Sequence, residues 1–418
     1  MTLHKQAATL TMMHAFEVLQ PLLLLPYGAR VLGPAAFGQY AYILALSQIA
    51  NMIVDYGFSW TASRSAASAR DNPAAIAKLF AEVAAAKIIL CLGLGLVGLA
   101  VHESLSLTLP MLLCVMLTPM GATLFVWWLF IAVERPWQAA VPVILARSLA
   151  FVLFITMVES PSDVELAAAI QASIPLLSAV FSFPYIVPIA IEGSQLLKFG
   201  SVIRQFREGW PSFLSNLSSA AAAALPIPLV GYFAGFHAAG QFSVAEKLIA
   251  ATRIVFRVMG ETLMPRVAYL AHHAPARGVA FVANSFWTLI VGGSLSLGLY
   301  LLGPYIIPIL FGPDFNDAIG LTNILYVLPF LSNVSFCASS LYMFNYGYER
   351  AWVMLAVLGL LIFLSTSYIL SHWMEGGVAV ALGVVAGESL VAILSTTFFV
   401  STRLAAERCI DTAGARDM

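Results

Sequence analysis

Five basic residues, Lys87, Arg147, Lys247, Arg253 and Arg257, stand inside long apolar stretches of this chain. A cation at the centre of a lipid-facing helix costs roughly 2.5–3.5 kcal/mol on insertion scales, so these residues belong in a bundle interior or a wet cavity. Their common chemistry is anion capture: a guanidinium grips phosphate oxygens in pairs, and an ammonium acts as a compact point charge. The pattern is sharpest around Arg253. Glu246, Arg253, Arg257 and Glu261 fall at i, i+7, i+11 and i+15, within one narrow arc of a helix. Arg257 and Glu261 are spaced to pair along the helix, and Glu246 and Lys247 to snorkel outward, whereas no acid lies three or four residues from Arg253. At 1.5 Å per residue, Arg253 is about 13 Å, Lys87 and Arg147 about 10–12 Å and Arg257 about 7–8 Å from the cytoplasmic ends of their spans, so bases from three helices are expected at comparable depth.

Polar partners repeat the theme. Ser47, Asn51 and Asp55 occur at spacing four, and an offset of 202 residues maps Asn51 onto Arg253 and Asp55 onto Arg257. Equivalent faces of two halves are therefore polar, as a central cavity requires, although helix packing by polar residues competes as an explanation. His14, Glu17 and Gln20 follow at spacing three, beside Pro21 and Pro26, which loosen a helix. Glu17, Asp55 and Glu388 are candidates for coupling to a proton or a sodium ion. For Glu17 and Glu388 the alternative is that each neutralises a buried base. No other cofactor is expected.

The elements that must carry these residues are membrane helices. Only 10% of the residues are charged, 61% are hydrophobic and the mean hydropathy is +0.90. Apolar stretches long enough to cross the hydrocarbon have cores near 9–28, 36–58, 80–101, 108–131, 139–158 and 166–190, then 209–233, 239–262, 280–302, 319–344, 351–371 and 376–400. The expected fold is thus an all-α integral membrane protein with twelve transmembrane helices. The segment P-Y-G-A-R-V-L-G-P-A-A-F-G-Q-Y from Pro26 returns from Pro228 as P-L-V-G-Y-F-A-G-F-H-A-A-G-Q-F, with Gly33, Gly38 and Gln39 recurring as Gly235, Gly240 and Gln241. An even number of spans per half makes the repeats parallel, two six-helix lobes around a central cavity. The polar interval Glu192 to Glu208 reads as a surface helix joining them, which gives lobes of residues 1–200 and 201–418.

With the N-terminus inside, Lys5, Arg64, Arg70, Lys78, Arg135, Lys198, Arg204, Arg207, Arg266, Arg277, Arg350, Arg403, Arg408 and Arg416 all fall on the cytoplasmic side, against Arg30 alone outside. Both termini are then cytoplasmic, and the first span is expected to stay as an anchor. This asymmetry, in a chain of net charge −1, speaks against a nucleic-acid partner. Cys91, Cys114, Cys337 and Cys409 have no metal-ligand spacing and read as packing residues. Gly93, Gly95 and Gly98 spell G-x-G-x-x-G, but inside an apolar span with no preceding strand; like Gly383 and Gly387 they read as helix-packing glycines. The adjacent His272 and His273 are unsuited to sharing a metal. No catalytic motif and no loop long enough for a soluble domain is present, so an enzyme is not expected.

Particular segments resemble a known family. L-P-Y-G-A-R-V-L-G-P-A-A-F-G-Q-Y from Leu25, D-Y-G-F from Asp55 with Arg64, V-G-Y-F-A-G-F-H-A-A-G-Q-F-S-V-A-E-K-L from Val230, Pro265, and P-I-L-F-G-P-D-F from Pro308 are similar to polysaccharide flippases of the Wzx type. Those belong to the multidrug/oligosaccharidyl-lipid/polysaccharide (MOP) exporter superfamily. The resemblance implies twelve helices in two lobes around a V-shaped cavity. It implies a substrate, an oligosaccharide on undecaprenyl pyrophosphate, moved across the bacterial inner membrane for O-antigen or exopolysaccharide synthesis, beside polymerase and chain-length proteins. On that reading Arg253, Arg257, Arg147, Lys87 and Lys247, with Asn51, are the expected substrate-binding residues. The rivals are a multidrug or cation antiporter of the same superfamily, a membrane glycan polymerase or ligase, and a passive scaffold.

Overall fold

The structure, a computed structural model, describes residues 3–194 and 199–414. Lys198 and Arg416 lie outside the described residues, as do the side chains of His14, Arg257 and Cys409. The regular elements of the described chain are helices, with no strand among the described residues: α1 (Leu3–Asp55), α2 (Phe58–Ser68), α3 (Pro73–Val101), α4 (Leu109–Leu124), α5 (Trp127–Ala132), α6 (Trp137–Met157), α7 (Val164–Ala172), α8 (Ile174–Ser194), α9 (Phe199–Ala224), α10 (Pro226–His273), α11 (Pro275–Ser285), α12 (Leu289–Phe311), α13 (Asp317–Leu325), α14 (Leu328–Ser335), α15 (Glu349–Leu370) and α16 (Gly376–Gly414). A π-helical segment, Phe336–Met343, follows α14. Among the described residues, nine helical stretches are long and apolar enough to cross a membrane. Burial is inverted relative to a soluble protein: Leu92, Leu96 and Ile290 are 65%, 68% and 72% exposed while Lys87 is 4% exposed, as expected when lipid bathes the outside.

Packing groups the chain into two compact units, Met1–Gly240 and Gln241–Met418. In the first, α1 lies against α3, α4, α6, α7 and α9, and α8 lies against α3, α4 and α6. In the second, α16 packs on α13, α14 and α15, and α12 on α13 and α14. Gly383 and Gly387 belong to the α15–α16 seam, where a β-carbon on Gly387 would stand 2.7 Å from the Gly359 carbonyl oxygen. Of the three glycines in α3, Gly98 abuts Leu112 of α4 but Gly93 meets nothing within 4 Å, so the packing role belongs to Gly98.

The repeated segment has a repeated backbone. α1 bends at Gly33 (φ 69°, ψ 171°) and α10 bends at Gly235 (φ 81°, ψ 178°), 202 positions apart. Positive φ is costly for any residue with a β-carbon, which accounts for glycine at both places. The expected first and second spans are the two arms of α1. The expected seventh and eighth meet at the Gly235 bend, the seventh being further interrupted at Leu225 between α9 and α10. Just past the bends, Gly38 and Gly240 pack reciprocally inside the first unit. A β-carbon on Gly38 would collide with the Phe236 carbonyl oxygen and stand 2.6 Å from the Gly240 nitrogen; one on Gly240 would collide with the Pro34 carbonyl oxygen. Residues 34 and 236 are themselves related by the 202 offset, so the contact is self-complementary, as across a two-fold axis.

Other motif residues hold helix ends. The Tyr27 hydroxyl donates to the carbonyls of Ile155 and Val158, both at 3.1 Å, at the C-terminus of α6, where intrahelical donors run out. Gln241 donates to the Asp314 carbonyl at 2.8 Å and accepts from the Ala318 N–H at 3.0 Å, joining the second repeat to the P-D-F segment. In D-Y-G-F, Tyr56 (φ 47°) and Gly57 (φ 78°) turn the chain between α1 and α2, and the Tyr56 ring stacks on Phe213 of α9 with centroids 4.7 Å apart.

The polar interval after Glu192 differs from a separate surface helix. From Phe199 it runs unbroken into α9, with Gln205 3% exposed. The cause is Glu82 of α3, a carboxylate 1% exposed, which accepts from Gln205 Nε2 at 2.8 Å and pairs with Arg204 Nη2 at 3.3 Å. A buried carboxylate must be met by donors, and the polar face of α9 supplies them.

Candidate functional site

Each described intramembrane base has a distinct setting. Lys87, one turn and a half beyond Glu82 on α3, donates from Nζ to Asp55 Oδ1 at 2.8 Å, and the Ser59 hydroxyl donates to the same oxygen at 2.6 Å. Asp55 is the last residue of α1 and Ser59 begins α2, so the sharp Tyr56–Gly57 turn is what brings both to α3. The expectation had given Lys87 and Asp55 separate tasks, anion binding and ion coupling. They form one ion pair, with the lysine side chain 5% exposed.

Asn51, one turn before Asp55, lines the same recess. It is a cavity of about 380 Å³ lined by Asn51, Asp55, Ser59 and Lys87 together with Phe125, Trp127, Trp128 and Phe213. The aromatic lining exists because the expected fourth span is broken: α4 ends at Leu124, Phe125 and Val126 are non-helical (ψ 108° and 59°), and α5 restarts at Trp127. Irregular backbone at membrane depth is tolerated where it lines protein cavities, which this break does.

Arg147 of α6 reaches the first arm of α1. Its Nη1 donates to Gln20 Oε1 at 2.9 Å and its Nη2 stands 3.6 Å from Glu17 Oε1. Glu17 thus stands opposite a buried base, at a distance beyond a short charge-assisted hydrogen bond. Arg147 Nε and Gln20 Nε2 are buried without hydrogen-bond partners. An arginine has five N–H donors in a planar fork, and part of this one is unspent. Lys87 and Arg147 are thus held in two separate pairs, on α1–α3 and α1–α6.

In the second unit Arg253 of α10 acts electrostatically on Glu388 of α16, which joins the two residues the sequence had placed 135 positions apart. Lys247 pairs with the adjacent Glu246 at 2.9 Å; the lysine side chain is 37% exposed, while the Glu246 oxygen it meets is buried. Glu261 is exposed. Cys114 and Cys337 are buried with free thiols, and no cluster of metal-ligating side chains occurs among the described residues.

The sequence reading did not single out Glu82, Ser59 or the aromatic Phe125, Trp127 and Trp128. Ser59 had a usable signal, a hydroxyl four residues after Asp55, and Trp127–Trp128 stood at the end of an apolar span; the partners of Glu82 lie 122 and 123 residues away and left none.

Two relatives, from Shigella dysenteriae and from Escherichia coli (strain K12), both carry the name "Putative O-antigen transporter". The first is 25% identical over 372 residues, 88% of this chain and 93% of its own length. The second is 26% identical over 413 residues, 97% of this chain and 98% of its own. In fold the chain is similar to an inward-facing multidrug-resistance MATE family transporter of the MOP superfamily, with a TM-score of 0.72 at 15% identity over 93% of this chain and 96% of that one. The family described as polysaccharide biosynthesis protein matches residues 3–271, which take in both copies of the repeat, the Asp55–Lys87 and Glu17–Arg147 pairs and Arg253. This chain is a multi-pass, all-α membrane protein that belongs to the polysaccharide biosynthesis protein family.

Proposed function

We propose that the chain is a flippase for an oligosaccharide carried on undecaprenyl pyrophosphate, working in the bacterial inner membrane with both termini cytoplasmic. A transporter role agrees with the names of its relatives and with its fold. The observation that carries the substrate class is Arg147, an intramembrane guanidinium held by one amide and a 3.6 Å carboxylate, with buried donor capacity left over. A pyrophosphate is the ligand such a group suits, because its oxygens accept paired N–H donors. Arg253 supplies the second cation, with Arg257 one turn further along α10.

On this reading the repeats at residues 1–200 and 201–418 act as lobes that rock to expose the head group to each side in turn, while the polyprenyl tail stays in lipid. Coupling to H+ or Na+ falls to Glu388 and Glu17 rather than to Asp55, whose charge is taken up by Lys87 at 2.8 Å. Polymerase and chain-length proteins are the partners that would consume the flipped product. A multidrug antiporter selecting organic cations needs an unneutralised acidic cavity, whereas Asp55, Glu17 and Glu388 each face a base.

The test is genetic. A strain deleted for this reading frame is expected to lose surface polysaccharide, to accumulate lipid-linked oligosaccharide, and to recover both on return of the wild-type chain, with unchanged sensitivity to cationic drugs. Intact surface glycan together with drug hypersensitivity would instead assign the antiporter role.

A further inference from the structure

We propose that the recess lined by Asn51, Asp55, Ser59, Lys87, Phe125 and Trp127 is a sugar-binding subsite, which recognises a ring of the transported glycan rather than its pyrophosphate. The inference rests on the flippase reading and names what this recess contributes to it.

Charge excludes the simpler occupants. Lys87 and Asp55 cancel at 2.8 Å, so a pyrophosphate would meet a carboxylate without gaining a free cation, and an organic cation would meet an ammonium. The recess is thus neutral in sum yet rich in hydrogen-bonding groups. Asn51 Oδ1 is a buried acceptor with no partner. Both contacts to Asp55 fall on Oδ1, which leaves its second oxygen as an acceptor for a hydroxyl. An unpartnered buried acceptor is costly, and a ligand O–H relieves it.

Aromatic lining residues supply the complementary half. Phe125, Trp127 and Phe213 are partly buried and line the same cavity. A pyranose ring has an apolar C–H face and an equatorial belt of hydroxyls, so it suits a cavity lined by both aromatic side chains and carboxylate and amide acceptors. The cavity, about 380 Å³, lies in the range typical of small-molecule pockets, roughly 300–1,000 Å³. Its charged pair sets Asp55 in place without an added counter-ion, so a neutral ring can enter with no charge left unbalanced.

The experiment measures binding to the purified full chain in lipid nanodiscs, using two probes: undecaprenyl pyrophosphate without sugar, and undecaprenyl-pyrophosphate-linked oligosaccharide extracted from cells lacking this protein. The wild type should bind the sugar-bearing lipid about tenfold more tightly than the bare one. Asn51→Ala and Trp127→Leu should each erase that preference while leaving bare-lipid affinity unchanged, and Arg253→Gln should weaken both probes alike. Thermal unfolding of the two subsite variants identifies any that is misfolded; Ser59→Ala, which loosens Asp55 without removing bulk, then serves in its place. Equal affinity of the wild type for both probes, or variants that weaken both equally, would overturn the subsite. Failure of the wild type to bind even the bare lipid would overturn the flippase reading itself.

Discussion

Gly240→Ala is expected to abolish surface polysaccharide and to lower the unfolding temperature of the purified protein, with Gly38→Ala matching it in both respects. The added β-carbon has nowhere to go, because what it meets is the Pro34 carbonyl in one case and the Phe236 carbonyl in the other, backbone atoms inside bent helices. Overpacking of this kind costs typically 1–3 kcal/mol, roughly, and relief requires the two copies of the motif to separate. The equality of the two effects follows from the self-complementary contact. Gly33→Ala is the control: a β-carbon there meets nothing within 4 Å, so only the strain of φ 69° remains, about 1–2 kcal/mol, and transport should persist. Surface glycan by gel and unfolding by intrinsic fluorescence check all three variants. A wild-type phenotype for Gly240→Ala would show that this contact opens without consequence.

Arg147→Gln is expected to be doubly harmful, and the two harms are separable. It removes the group assigned to the pyrophosphate and leaves Glu17 facing a neutral amide. Breaking a fully buried ion pair costs about 3–5 kcal/mol, but here the side chains are 20% and 36% exposed, so about 1–2 kcal/mol is the reasonable expectation after screening. Adding Glu17→Gln should restore stability by removing the carboxylate that Arg147 balances, yet leave surface polysaccharide absent. Glu17→Gln alone should keep the protein stable, since Arg147 retains Gln20 at 2.9 Å. Recovery of glycan in the Glu17→Gln/Arg147→Gln pair would reduce Arg147 to a structural counter-ion.

Much of the architecture was legible because membrane helices write themselves in hydropathy. The repeat was legible down to individual residues: the recurrence of Gly33 and Gly38 as Gly235 and Gly240 corresponds to two equal bends and one reciprocal contact. Arginines and lysines inside apolar stretches were also easy to recognise. Their pairing was not, since Asp55 and Lys87 are 32 residues apart and Gln20 and Arg147 are 127 apart, and no local spacing encodes such partnerships. Of the bases expected at comparable depth, Lys87 and Arg147 face carboxylates of α1, which is the usual resolution of charge at low dielectric. The break at Phe125–Val126 was invisible for a different reason: the residues there are apolar and helix-compatible, so the hydropathy of the span continues straight through a change in backbone. The contact of α9 with the buried Glu82 was invisible because amphipathic composition describes a polar face without naming what that face meets.

The central claim is that intramembrane guanidinium groups hold the anionic head of the cargo during its passage. Its most direct test is flipping of undecaprenyl-pyrophosphate-linked oligosaccharide in proteoliposomes, followed by access of an external glycan-modifying enzyme, for the wild type, Arg253→Lys and Arg253→Gln. The account predicts transport by the wild type, a reduced rate with lysine, which keeps the charge but loses the planar fork, and none with glutamine. Transport by Arg253→Gln at the wild-type rate would contradict it.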